Sequence, residues 1–143
     1  MNTSQTIDSS EQGQSLVEFA ISLVIILLLL VGIVDASRAL FTYLSLRDAA
    51  EEAALYGSLQ PDDTSGIRSR ARNNSDLIRG LPSADVSITI TYTGAHCTGN
   101  SIGVQIAYTN FPLTMPLLGT FIGRQTVPIR ATVTNTILTP KCH

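Results

Sequence analysis

Chemistry needs particular side chains at particular spacings, and this 143-residue chain offers few of them. Its two histidines are His96 and His143, and no nucleophile motif accompanies either. No glycine-rich phosphate loop follows a strand pattern, and the acidic residues are mostly single. These residues argue against an enzyme, and no cofactor is expected. Cys97 and Cys142 form the one cysteine pair, each beside a histidine. The spacing matches no zinc pattern. A disulfide is the default pairing in an extracytoplasmic domain, with free thiols as the alternative.

One ionisable group is placed where its position has consequences. Glu18 follows Gly13 by five residues and stands at the mouth of the longest apolar run. Phe19 to Val34 carries no charge, and Leu16 and Val17 extend the run across Glu18. A charge kept at the edge of lipid is costly and usually has a named partner. If a peptidase cut between Gly13 and Gln14, the new α-amine would lie four residues before Glu18, close to one helical turn. Between staggered neighbours, the amine of one subunit could meet the carboxylate of another as both enter lipid. Mutual neutralisation there would offset a desolvation cost of several kcal/mol per ion. The plainer reading is that Glu18 snorkels to the interface alone.

The elements that position these residues follow from patterning. Leu16 to Val34 as a helix spans roughly 28 Å, enough for a thin bilayer core. A cleaved secretory signal would want a basic n-region, and residues 1–12 hold no Lys or Arg, although Val34-Asp35-Ala36 offers a small-residue site. Beyond the span, Ala36, Ala39, Tyr43, Leu46, Ala50 and Ala53 recur at spacings of three and four, predicting an apolar stripe on a continuing helix. Gly57 reads as its C-cap and Pro61 as its stop. Residues 1–13 read as a leader, 14–57 as one long helix of about 60 Å, 58–82 as a connector and 83–143 as a sheet domain. Within the connector, Ile67, Leu77 and Ile78 could anchor a short helix.

Three segments of period two follow: Val86 to Tyr92, Ile102 to Tyr108 and Val127 to Val133. Each has one apolar and one mostly polar face, as a one-side-buried antiparallel sheet requires. Pro128 predicts that the third strand starts there or lies on an edge. Thr93 to Asn100 is short enough for a hairpin link. The link from Phe111 to Arg124 crowds Phe111, Leu113, Met115, Leu117, Leu118, Phe121 and Ile122 among prolines and glycines. It either folds back onto the sheet and membrane or presents an apolar patch to a partner. The predicted fold is α+β: a long transmembrane helix followed by a small antiparallel sheet of about three strands. A net charge of −2 gives no nucleic-acid footprint, and Arg68, Arg70, Arg72 and Arg79 read as a solvated helix face.

Several of these motifs together resemble the TadE-like pilus-assembly proteins. They are Gly13-Gln14-Ser15-Leu16-Val17-Glu18-Phe19-Ala20, the aliphatic run, Asp35 to Phe41, and Arg47 to Ala54. A Val-x-Ile-x-Tyr strand, an apolar Pro-Leu segment and an Ala-Thr-Val-Thr strand continue the likeness. It implies a minor pilin or pseudopilin of the tight-adherence (Flp-type) system with a pilin-like fold. It also implies prepilin-peptidase cleavage between Gly13 and Gln14, with Glu18 and Phe19 at the subunit-assembly end. The partners implied are the lipid bilayer, the peptidase, other pilin subunits and assembly-platform proteins. Residues 1–12 lack the basic residues common in prepilin leaders, holding only Asp8 and Glu11 as charges. Arg38 and Arg47 would place the C-terminal domain in the cytoplasm by the positive-inside rule. The resemblance and the cysteine pair place it outside a bacterial cytoplasmic membrane, and Asp35, Asp48, Glu51 and Glu52 dilute the basic signal. The rival readings are a membrane-tethered binding module or adhesin, and a soluble domain released after Ala36.

Overall fold

The computed structural model describes residues 9–115 and 123–141, the side chains of residues 9–12 excepted. Helix α1 (Ser9–Leu59) is a single run of 51 residues, about 76 Å long at 1.5 Å per residue. Two short helices follow, α2 (Thr64–Asn73) and α3 (Asp76–Gly80), then strands β1 (Val86–Thr93), β2 (Ser101–Pro112) and β3 (Thr126–Thr136). The strands form an antiparallel sheet in the order β1-β2-β3. A long apolar N-terminal helix followed by a three-stranded antiparallel sheet is thus the architecture.

The outer half of α1 packs on the sheet through small residues. Ala49, Ala50, Ala53 and Ala54 are fully buried with Leu46, against Ile102, Val104 and Ile106 of β2. Alanine lets the helix backbone approach the sheet closely. The lower part of the stripe differs from expectation. Ala36 and Tyr43 are exposed, and the buried positions are Asp35 and Thr42, with Ala39 partly covered. Spacings of four, three and four from Asp35 through Ala39 and Thr42 to Leu46 mark one helix face. Counting only apolar residues had rotated that face by one position.

Gly57 is not the C-cap its position before Pro61 suggests. The helix continues to Leu59, and Gly57 is buried at the crossing of α1, α2 and β2. A Cβ there would run into Ile102 Cδ1 and come within 3.1 Å of Ile67 Cδ1. The glycine is required by close packing, not by backbone conformation. Helix α2 then folds back along α1, with Arg70 paired to Glu52 at 3.1 Å and placed over the Tyr56 ring. Asp63 caps α2 by accepting the Gly66 N–H, and Ser75 caps α3 by accepting that of Ile78. Ile67 and Ile78 carry these helices into the core.

Strand β2 is central and covered on both sides by neighbours, so even Gly103 and Ala107 on its outer face are buried. The β1–β2 hairpin turns through Gly94 and Gly99, both at positive φ. Pro128 lies within edge strand β3. Thr109 and Asn110 of β2 face it alone, because the register shifts between Tyr108↔Ile129 and Phe111↔Val127. The bulge falls opposite Pro128. On the other edge, Arg68 Nη1 donates to the Ile88 carbonyl at 2.6 Å. Replacing Gly57 by leucine should overpack this junction by about 1–3 kcal/mol, read as a lower unfolding midpoint of the full chain.

Candidate assembly and membrane-entry surface

From Gly13 to Val34, α1 touches almost nothing. None of the most apolar 18-residue window is buried, and Leu16, Phe19, Leu29 and Ile33 are each more than 60% exposed. A helix that is apolar on every side is a membrane span or the core of an assembly. By length and composition this is one helix able to cross a bilayer. Burying each of these side chains would stabilise by about 1.5–3 kcal/mol, so water is a poor solvent for the segment.

Glu18 is the single acidic residue in this apolar stretch, and it is exposed with no hydrogen bond or ion pair among the described residues. Gln14 precedes it by four residues, about 6 Å along the same helix face. Gly13 and Gln14 lie inside the helix, and the space around Gly13 is open. Phe19 is 66% exposed. The structure therefore gathers Gly13, Gln14, Glu18 and Phe19 at one end of a bare helix, far from the folded domain.

Where α1 meets the domain, a carboxylate clamps the chain that returns from the sheet. Asp35 is 5% exposed, and its Oδ2 accepts the N–H groups of both Thr114 and Met115 at 2.7 Å. Arg38 Nη1 donates to Asp35 Oδ1 at 3.3 Å and to Thr114 Oγ1 at 2.6 Å, and its guanidinium lies 5.4 Å from the Phe111 ring centre. A Cβ on Gly32 would meet Met115 Sδ at 3.8 Å, which places the start of the β2–β3 link against the last turns of the apolar helix. The sequence shows Asp35 as a charge beside the apolar run and does not show this clamp. Its place on the face of Ala39, Thr42 and Leu46 was the available signal.

Of the apolar link, Phe111 is 3% exposed, and Leu113 is half-buried and packs on the core. Met115 is half-buried against α1. Leu117, Leu118, Phe121 and Ile122 lie outside the described residues. So do Cys142 and His143. Cys97 is disulfide-bonded. The C-terminal segment is tied to its loop: Thr98 N donates to Pro140 O at 2.8 Å, Gly99 N to Ile137 O at 3.1 Å, and Ile137 N to Asn100 O at 2.8 Å. At the same end His96 Nδ1 lies 2.7 Å from Asp62 Oδ1, with the Tyr92 ring 3.8 Å from the imidazole. No group of three or more metal-binding side chains exists among the described residues.

Two groups at the turn after α1 have shifted titrations. Asp63 sits below its ordinary value of 3.8 because the Ser65 hydroxyl, the Gly66 N–H and the Tyr56 phenol all donate to it. The same bond to Asp63, with burial, pushes Tyr56 up from 10.0. A carboxylate with a lowered folded pKa contributes stability above its unfolded value and loses it as pH falls through the folded one. Acidification below about pH 4 should therefore loosen the α1–α2 turn, and Asp63→Asn should flatten that dependence in amide exchange of Ser65 to Ile67. Asp35→Ala should strip protection from the Thr114 and Met115 amides while leaving the strand amides slow, read by hydrogen exchange.

The model of the family described as TadE-like protein matches residues 13–55, the bare helix and the part of it that packs on the sheet. Neither the curated proteins nor the solved structures hold a match to this chain. Gly13, Glu18, Asp35 and the alanine stripe all fall inside the matched stretch, which makes the chain consistent with a TadE-like protein of the tight-adherence pilus system.

Proposed function

We propose that this chain is a minor pilin-like subunit that supports assembly of a tight-adherence pilus. A prepilin peptidase would cut between Gly13 and Gln14, leaving Glu18 as the fifth residue of the mature chain. The observation that carries the proposal is Glu18 itself, an unpartnered carboxylate on an apolar helix, one turn from where that cut would free an amine. The likeness to TadE-like proteins, which are structural rather than catalytic, supports the same role.

The physical sequence is short. Gly13 weakens the helix by about 1 kcal/mol relative to alanine, which favours the local opening a peptidase needs. The freed amine of one subunit then meets Glu18 of another at the lipid edge. A subunit lacking that contact carries an unneutralised carboxylate into lipid, so pairing sets axial register as well as affinity. Other pilin subunits and the assembly platform are the partners, and neighbouring helices replace lipid around the apolar half of α1 by packing.

The C-terminal domain would lie on the extracytoplasmic side, with Cys97 and Cys142 joined. The disulfide at Cys97 supports this, since such bonds persist in oxidising compartments. Backbone bonding holds Pro140, two residues before Cys142 in the sequence, beside Thr98.

Mass measurement of the chain purified from its native membrane should give a mature form beginning at Gln14. A chain still beginning at Met1 would overturn the proposal. Glu18→Ala should leave a stable membrane protein and abolish piliation, and intact pili would remove the assembly role.

A further inference from the structure

Just beyond the apolar run, the sheet domain forms a notch against α1. Its cavity volume is about 220 Å³, and its walls include Arg38, Phe41, Leu77, Leu81, Phe111 and Pro112. Arg38 lies four residues past Val34, about 6 Å further along the helix. The headgroup layer on each side of a bilayer is about 5–8 Å deep, so the notch stands at its height. Large apolar side chains stay bare here: Leu40 is 59% and Phe41 64% exposed, continuous with Ile33 and Val34 below. Water is a poor match for that surface, and an aromatic ring at this depth suits the interface.

The guanidinium supplies the second half of the site. Among the described residues, Nη1 of Arg38 is engaged by Asp35 and Thr114, while Nε and Nη2 carry no hydrogen bond. The fork thus keeps donors in the geometry that grips a phosphate. Asp35, the one carboxylate facing it, is buried and already accepts two amide N–H groups. We propose that the notch binds an anionic phospholipid. Arg38 takes the headgroup phosphate, and Phe41, Leu77, Leu81 and Pro112 take the glycerol and first methylenes. The bound lipid seats the sheet domain on the bilayer and fixes the height of α1. This inference rests on α1 crossing a membrane.

The chain has no tryptophan, so a single introduced one is a sole reporter. The full chain in bilayers of brominated lipid should show Val24→Trp strongly quenched, Phe41→Trp blue-shifted and quenched, and Leu55→Trp unquenched. In the Phe41→Trp chain, brominated phosphatidylglycerol should compete about fivefold better than brominated phosphatidylcholine. Adding Arg38→Gln should bring that ratio to about one, and Arg38→Lys should keep most of it. Quenching of Val24→Trp without Phe41→Trp would overturn the notch and leave the span standing. An unquenched Val24→Trp would overturn the span and the notch together. Equal competition by the two lipids, or a ratio unchanged by Arg38→Gln, would overturn the phosphate role of Arg38.

Discussion

One unbroken helix has a bare apolar half and a packed half, and a single hydrogen-bond ladder runs through both. Every interior amide of α1 is paired within the helix, so the backbone can pass from an apolar medium to a packed protein face without a change of conformation. What changes is the side-chain pattern. Up to Val34 the helix is aliphatic all round and bare, and from Asp35 onward it shows one face of small residues to a sheet. The two halves share a rigid axis, so a constraint applied at Glu18 is felt at Gly57 as orientation rather than as slack.

Asp35 marks the changeover and explains why the sheet domain begins so abruptly. A carboxylate at 5% exposure would be destabilising if it stood alone. Two amide N–H groups and a guanidinium satisfy it, the amides from the link just after β2 and the guanidinium from the next helical turn. The effect is a tie between residues almost 80 positions apart in sequence, placed at the foot of the domain. Gly57, Ile67 and Ile102 supply the corresponding contact at the top, through packing alone. Between these two ties the alanine face of α1 needs no large side chains to hold its position.

How much of this was legible depended on whether a local pattern carried it. The apolar helix, the three strands and the edge position of β3 are written in periodicity and in Pro128, because a period of two and a missing N–H act locally. Gly57 misled because glycine before proline is a common helix ending, and only the depth of Ile102 shows the different use made of it. Asp35 shows only half of its role in the sequence. Sequence shows charge, but not whether distant amides will arrive to meet it. The apolar link after β2 was legible as unusual, yet the burial of Phe111 and the approach of Met115 to α1 rest on distant contacts that no composition reveals.

The margins of the sheet carry a last consequence. A three-stranded sheet has two open rims, and each could template a further strand from a passing chain. Here Arg68 occupies the Ile88 carbonyl on one rim, and Pro128 beside the bulge interrupts the donor row on the other. Neither rim offers an unbroken ladder. Polymer growth through stacked sheets, the route taken by amyloid, is thereby discouraged, and ordered association is left to the helix.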